Sequence, residues 1–322
     1  MKIIKPYVEF IDEPDYMKKI ELAGRVCYKS EDKITDDSAE KFIANVIKRG
    51  HESVLEHSNF IVSLCKESYN HFKMTVDILK SHGINTMLNI TESLDFYIVS
   101  GNARMWRDYF RNLDMIIVPP TFLDLFKTFG ELFNDVLPHD TQLLNCGFNA
   151  FVPDILLENI TEQRTHIMQT VRIVCDRGVT HEIVRHRLAS YSQESSRYCC
   201  YTKDKFGNEI TVIKPLFFDE NSEEYGIWKT ACENSETAYF DLISAGATPE
   251  KARDVLPNSL KTEIVMSAYL SEWEHFFRLR CSKAAHPQMR EIALPLLEMF
   301  ANKYPEIFGE MCEEYEDELP TA

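Results

Sequence analysis

Apolar residues recur along this chain at helical and strand spacings, and the spacing predicts the elements. From Asp37 to Arg49, the residues Phe42, Ile43, Val46 and Ile47 form one stripe of a helix that Gly50 stops, and Asp37 and Glu40 are spaced as a capping box. The short apolar runs Asn59–Leu64 and Gln169–Cys175 predict strands, as does Lys2–Ile11, which a helix over Tyr16–Val26 follows. Residues 66–133 read as several helices broken at His82-Gly83 and Pro119-Pro120, before a less regular stretch over 137–160. Thr180 is placed to cap a helix running to Tyr191. Residues 210–218 fit either a strand or an extended loop, and helices are expected over 222–245, 249–280 with a break near Pro257, and 287–303. Glu306 to Glu318 carries seven acids and no base, which predicts a solvated surface segment.

One pattern occurs twice. Ser100 to Arg111 and Ser267 to Arg278 share S-x5-W-x3-F-R, either as two similar core-facing helices or as the trace of a duplication.

Composition narrows the function classes. With 322 residues, 44% hydrophobic and 27% charged, the chain has a globular composition and needs no disulfide framework. A net charge of −16 argues against non-specific nucleic-acid binding. No apolar run approaches the roughly 18 residues of a membrane span, and acids interrupt the N-terminus early, so neither a membrane nor a leader segment is expected. The nine cysteines are scattered without a C-x-x-C pair, as suits reduced thiols, and a cytoplasmic protein is expected. No glycine-rich phosphate loop occurs, so side chains must hold any nucleotide.

The side chains for that task are concentrated. Six of the fifteen arginines (164, 172, 177, 185, 187 and 197) lie between 164 and 197, with three acids and no lysine. Arginine's planar fork matches phosphate and carboxylate, so the run reads either as a salt-bridged helix surface or as an anion pocket. On the expected helix, Glu182, Arg185, His186 and Ala189 share a face. A second cluster, His51 to His57, follows a helix stop; with His71 its spacing fits no standard zinc pattern, so no metal is assigned.

Four motifs resemble those of the flavin-dependent thymidylate synthases. Arg185-His186-Arg187, seven residues and Ser195 match that family's signature, and the likeness continues through Arg197 and Tyr198. Upstream, His51-x-Ser53-x-x-Glu56-His57 is similar to its H-x-[ST]-x-x-E-H element, and downstream Ala252-Arg253-x-x-Leu256-Pro257 to A-R-x-x-L-P. Trp273 to Arg280, then His286, resembles its flavin and nucleotide helix. The likeness covers roughly 1–64 and 164–305 and makes about 65–160 a mostly helical insertion within one domain, with an acidic end at 306–322. Within the insertion, Gly101-Asn102-Ala103-Arg104-Met105-Trp106-Arg107 is itself similar to the family's flavin-contacting segment.

The resemblance implies an α+β fold of the thymidylate synthase-complementing type, a mostly antiparallel sheet flanked by helices. It implies a homotetramer with sites at subunit interfaces, converting dUMP to dTMP with FAD as carrier, 5,10-methylenetetrahydrofolate as carbon donor and NADPH as reductant. Carried over residue by residue, Glu182, Arg185, Gln193, Ser195, Arg197, Arg253 and Arg280 are expected at dUMP, with Arg280 and Arg185 polarising the pyrimidine carbonyls. His51, Ser53, Glu56, Arg185, His186, Arg187, Ser190, His275 and His286 are expected at FAD, with Asn102 and Arg104 joining them from the insertion. The chain departs from the family pattern at Cys27, Glu182, Ser192, Gln193, Tyr269 and His275. Two other functions remain: a catalytically silent flavin- or nucleotide-binding homologue, and an RNA-binding module using Tyr191, Tyr198 and Tyr201, which the acidic charge opposes.

Overall fold

The computed structural model describes residues 1–83, 88–93, 96–111, 116–118, 130–133, 135–136, 141–143, 150–151, 157, 159–202 and 206–319. Its strands are β1 (Lys2–Ile4), β2 (Tyr7–Phe10), β3 (Asn59–Cys65), β4 (Asn89–Glu92), β5 (Phe96–Asn102), β6 (Ile116–Val118), β7 (Thr141–Leu143), β8 (Ala150–Phe151), β9 (Met168–Asp176), β10 (Ser190–Gln193), β11 (Thr211–Ile213) and β12 (Lys261–Tyr269). The expected α+β class with antiparallel strands holds, but the strands divide into two four-stranded sheets, ordered β10-β12-β9-β2 and β4-β5-β3-β8. The pairs β1–β11 and β6–β7 are parallel.

Where the sequence and the fold differ, local chemistry explains the difference. The single strand expected over 2–11 splits around Lys5-Pro6, because proline offers no N–H to a ladder: β1 joins β11 and β2 joins β9. Of the helix expected over 249–280, Pro249–Ala252 and Leu270–Arg280 are helical, but β12 replaces the middle and pairs along its whole length with β9. From Thr262 to Ala268 that strand is buried on both faces, so it lacks the period-two alternation that would mark it. The helices expected across 66–133 include Lys66–Ser81, which ends at His82-Gly83 as predicted, and Ala103–Arg111, but β4 and β5 run between them. Pro119 and Pro120 lie outside the described residues. Asp37 precedes the helix Ser38–Lys48 without a side-chain cap bond, so the expected capping box does not form. Gly50 does stop that helix, with a φ of 70° that few other residues adopt.

Two cores follow. One packs Ile43, Leu55, Phe60, Trp106 and Phe110, and the other packs Ile173, Met266, Trp273, Phe277 and Phe300. The acidic end is only half solvated as expected: Ile307, Phe308 and Met311 of the helix Pro305–Glu313 enter the second core, while Glu306, Glu310 and Glu313 face out. Burying three apolar side chains, at about 1.5–3 kcal/mol each, fixes that helix despite its like charges.

Candidate active site

The central correction concerns the basic run. Its helix is Arg177–Ile183, which starts three residues earlier than expected and ends eight residues earlier, because the Asp176 carboxylate accepts from Val179 N at 2.7 Å and takes the capping role. The Thr180 hydroxyl instead donates to Arg177 O at 2.8 Å. Arg185, His186 and Ala189 therefore leave the helix, and the common face with Glu182 does not form. Residues 184–189 make an irregular turn into β10, with Arg185 and Arg187 exposed and His186 buried.

Tertiary contacts rebuild the cluster. From the helix Leu270–Arg280, Arg280 Nε donates to His186 Nε2 at 2.9 Å, while its terminal nitrogens donate to Glu182 Oε2 at 3.0 Å and Glu182 O at 2.8 Å. Because His186 accepts on Nε2, its proton sits on Nδ1. Burial, then the positive Arg280 and the neighbouring His275, lower its pKa to about 4, so it is neutral at physiological pH. The His275 ring stands 5.8 Å from that of His186. The Tyr191 hydroxyl donates toward the carbonyls of Ile183 and His186 and holds the turn in place.

Beside this cluster lies a cavity of about 490 Å³, whose wall includes Glu56, Asn102, Arg104, Arg187, Ser190 and Tyr269. Glu56 links its two sides, accepting from Arg104 at 2.6 Å and from the Ser190 hydroxyl at 2.9 Å. The structure thus brings together Glu182, His186, His275 and Arg280, and alongside them Glu56, Asn102, Arg104, Arg187 and Ser190. The other expected site residues lie apart from these contacts. Gln193 donates to Thr180 and Thr262, Ser195 caps a turn through Tyr198 N and Cys199 N, and Arg197 faces the Tyr198 ring at 5.4 Å. His51 meets the Tyr28 hydroxyl at 3.1 Å in the wall of another hollow. Ser53 and Arg253 are exposed, and His286 caps the helix Pro287–Lys303.

Sequence reasoning named His57 only within its motif and missed His166, yet the two buried histidines have matching surroundings. His57 Nδ1 bonds Ser267 at 2.8 Å and Nε2 bonds Ser192 at 2.9 Å; His166 bonds Ser100 at 2.8 Å and Thr91 at 2.9 Å. The repeated S-x5-W-x3-F-R pattern was the available signal, since Ser100 and Ser267 open its two copies. Burial lowers the pKa of His57 to about 3 and of His166 to about 4. An unfolded chain takes up these protons near pH 6.5, so between that value and about 4 it binds more protons than the fold does. Stability is therefore present above pH 6.5 and is expected to decline as pH falls through 6.5 toward 4, by on the order of a few kcal/mol for His57 alone. Urea titrations at pH 7.5 and 5.5 check this, and equal midpoints would contradict the neutral, buried assignment.

A family model described as "Thymidylate synthase complementing protein" matches residues 9–71 and 141–306, more than half of the chain, and the chain belongs to that family. It is similar to proteins named flavin-dependent thymidylate synthase: that of Pyrococcus furiosus is 34% identical over 170 residues, covering 53% of this chain and 64% of the relative. The Pyrococcus abyssi protein is 36% identical with the same coverages, and that of Geobacter sulfurreducens is 34% identical over 132 residues, 41% of this chain and 55% of the relative. The chain thus spans about 64% of the length of the first two relatives it matches. Among the described residues, no helix is long and apolar enough to cross a membrane.

Proposed function

We propose that this chain is a flavin-dependent thymidylate synthase, methylating dUMP to dTMP with 5,10-methylenetetrahydrofolate as carbon donor and NADPH as reductant. The observation that carries this reading is the Arg280–His186–Glu182 cluster beside a cavity walled by Arg104 and Arg187.

The donor set fits FAD. Guanidinium groups from Arg104 and Arg187 suit a diphosphate, and the carboxamides of Asn89 and Asn102 and the Ser190 hydroxyl suit ring edges. Leu88, Met105, Met168 and Leu188 supply apolar wall for an aromatic ring system. Bound there, the flavin supplies the redox chemistry and the one-carbon relay. The protein's own residues bind, orient and polarise. Arg280, clamped at three points, presents a fixed positive charge to a pyrimidine carbonyl, and exposed Arg185 reaches the same substrate from the turn; together they favour electron density at C5. Neutral His186 holds Arg280 without competing for the substrate's negative charge. Arg197, Arg253, Ser195 and Gln193 complete the dUMP site, and His51, Ser53 and His286 the FAD site, when chains assemble as a homotetramer. The exposed Val184, Leu188 and Leu279 lie close in sequence to the Arg280 cluster and are apolar surface for such an interface. The eight described cysteines are free thiols, as suits the cytoplasm.

The purified chain is expected to be yellow and, given dUMP, methylenetetrahydrofolate and NADPH, to release tritium from 5-tritiated dUMP. FAD uptake without tritium release would favour the silent homologue instead.

A further inference from the structure

The two histidine clusters belong to a larger correspondence. In the first sheet Asn59, Phe60 and Ile61 of β3 oppose Asn102, Gly101 and Ser100 of β5; in the second, Met168, Gln169 and Thr170 of β9 oppose Tyr269, Ala268 and Ser267 of β12. The helix after each second strand buries a tryptophan, and Trp106 Nε1 donates to Phe60 O at 3.3 Å as Trp273 Nε1 donates to Gln169 O at 3.1 Å. Ala103 N donates to Ser58 O, and Leu270 N to Ile167 O. Each outer strand repeats the match: Asn89 of β4 lies opposite Ser100, and Ser190 of β10 opposite Ser267. The histidine bonds cross over, His57 reaching Ser192 and Ser267, and His166 reaching Thr91 and Ser100. Crossed, paired contacts of this kind are those of an internal two-fold axis.

The 490 Å³ cavity lies on that axis. Its wall contains matched residues from both halves: Glu56 and Thr165, Asn89 and Ser190, Asn102 and Tyr269, Arg104 and Ser271. The frame is symmetric but the chemistry is not. The Glu56–Arg104–Ser190 chain has Thr165, Ser271 and Asn89 as its counterparts, none of them charged. Of the motif His51-x-Ser53-x-x-Glu56-His57, the second half keeps only His166. Conversely, Ile84-Asn85-Thr86 precede Asn89 in sequence at the distance at which Arg185-His186-Arg187 precede Ser190, and carry no charge.

We propose that the chain is a fused pair of halves and that the cavity on their axis is one shared site for a single flavin dinucleotide. In that site the first half supplies Glu56, Asn102 and Arg104, the second supplies Arg187 and Ser190, and each half has lost its copy of the other's contribution. This rests on the proposed function for the identity of the ligand. The asymmetry gives the flavin one orientation, with its diphosphate toward the two arginines.

The test is FAD affinity by flavin fluorescence quenching on the full-length chain, comparing R104A with its counterpart S271A. Arg104 is half exposed, so its loss spares the fold, and R104K serves as a second variant that keeps the charge. R104A is expected to weaken FAD binding on the order of tenfold or more, R104K to recover most of that, and S271A to match the wild type at one FAD per chain. Unchanged affinity in R104A, or equal loss in S271A, overturns the shared site and leaves the proposed function intact. FAD uptake that obeys this pattern without dTMP formation overturns the function and leaves the shared site. A wild-type chain that takes up no FAD overturns both.

Discussion

Replacing Arg280 by alanine is expected to cut kcat/KM for dTMP formation on the order of 100-fold or more, with the unfolding midpoint nearly retained. A charge-assisted contact made mainly in the transition state is worth about 2–3 kcal/mol, and each 1.36 kcal/mol is roughly tenfold in rate. Arg280 is also the hub of its cluster, so its loss leaves Glu182 without its cation and His186 without the donor on Nε2. An unpaired Glu182 carboxylate would repel the dUMP phosphate, adding a rise in KM to the fall in kcat. R280K, with one ammonium in place of a fork, should sit between, because it reaches Glu182 or His186 but not both. Tritium release from labelled dUMP measures all three chains, and an unchanged rate in R280A would remove this residue from the mechanism.

Replacing Glu263 by alanine is expected to cost about 3–5 kcal/mol, the usual price of stranding buried charge. Its carboxylate receives Lys29 at 2.6 Å, Arg172 Nε at 2.8 Å and Lys261. Burial works to raise its pKa, but Lys261 and Lys29 outweigh it and bring the value down to about 2. The stabilisation is therefore fully present above about pH 4.5 and is lost as pH falls through about 2. In the variant, Lys261 keeps buried Glu194, Lys29 keeps Glu31 and Arg172 keeps Glu9, three pairs in place of a shared central carboxylate. A melting point lower by on the order of 10 °C is the expected reading at pH 7. A shift within a degree or two would mean that the three cations find other partners.

Elements with a plain period were legible in the sequence. Ser38–Lys48, β3, β9 and Glu223–Ser244 fall within a residue or two of expectation, the helices because a cap or glycine bounds them and the strands because each is a short apolar run. β12 was not legible, since burial on both faces erases alternation while Thr262, Glu263 and Ser267 also break its apolar run, and that one strand carries Glu263, Ser267 and Tyr269. The chemistry was more visible than its arrangement. Arg280, His186 and Glu182 were singled out, but their meeting depends on a turn across 184–189 that no local pattern encodes, and on a cap at Asp176 that outcompetes Thr180. His57 and His166 were harder to place for another reason: their partners are single hydroxyls distant in sequence, and only the repeated pattern that Ser100 and Ser267 open pointed to them.

The crossed histidines also bear on how such a protein can vary. In an assembly of identical subunits, one codon change alters both sides of every axis, so a wall residue good for one end of an asymmetric ligand is imposed on the other end. Here the Arg104 side and the Ser271 side are encoded separately, while His57 and His166 keep the two sides in register. Each wall of the cavity can drift or be engineered alone, one end of the ligand at a time.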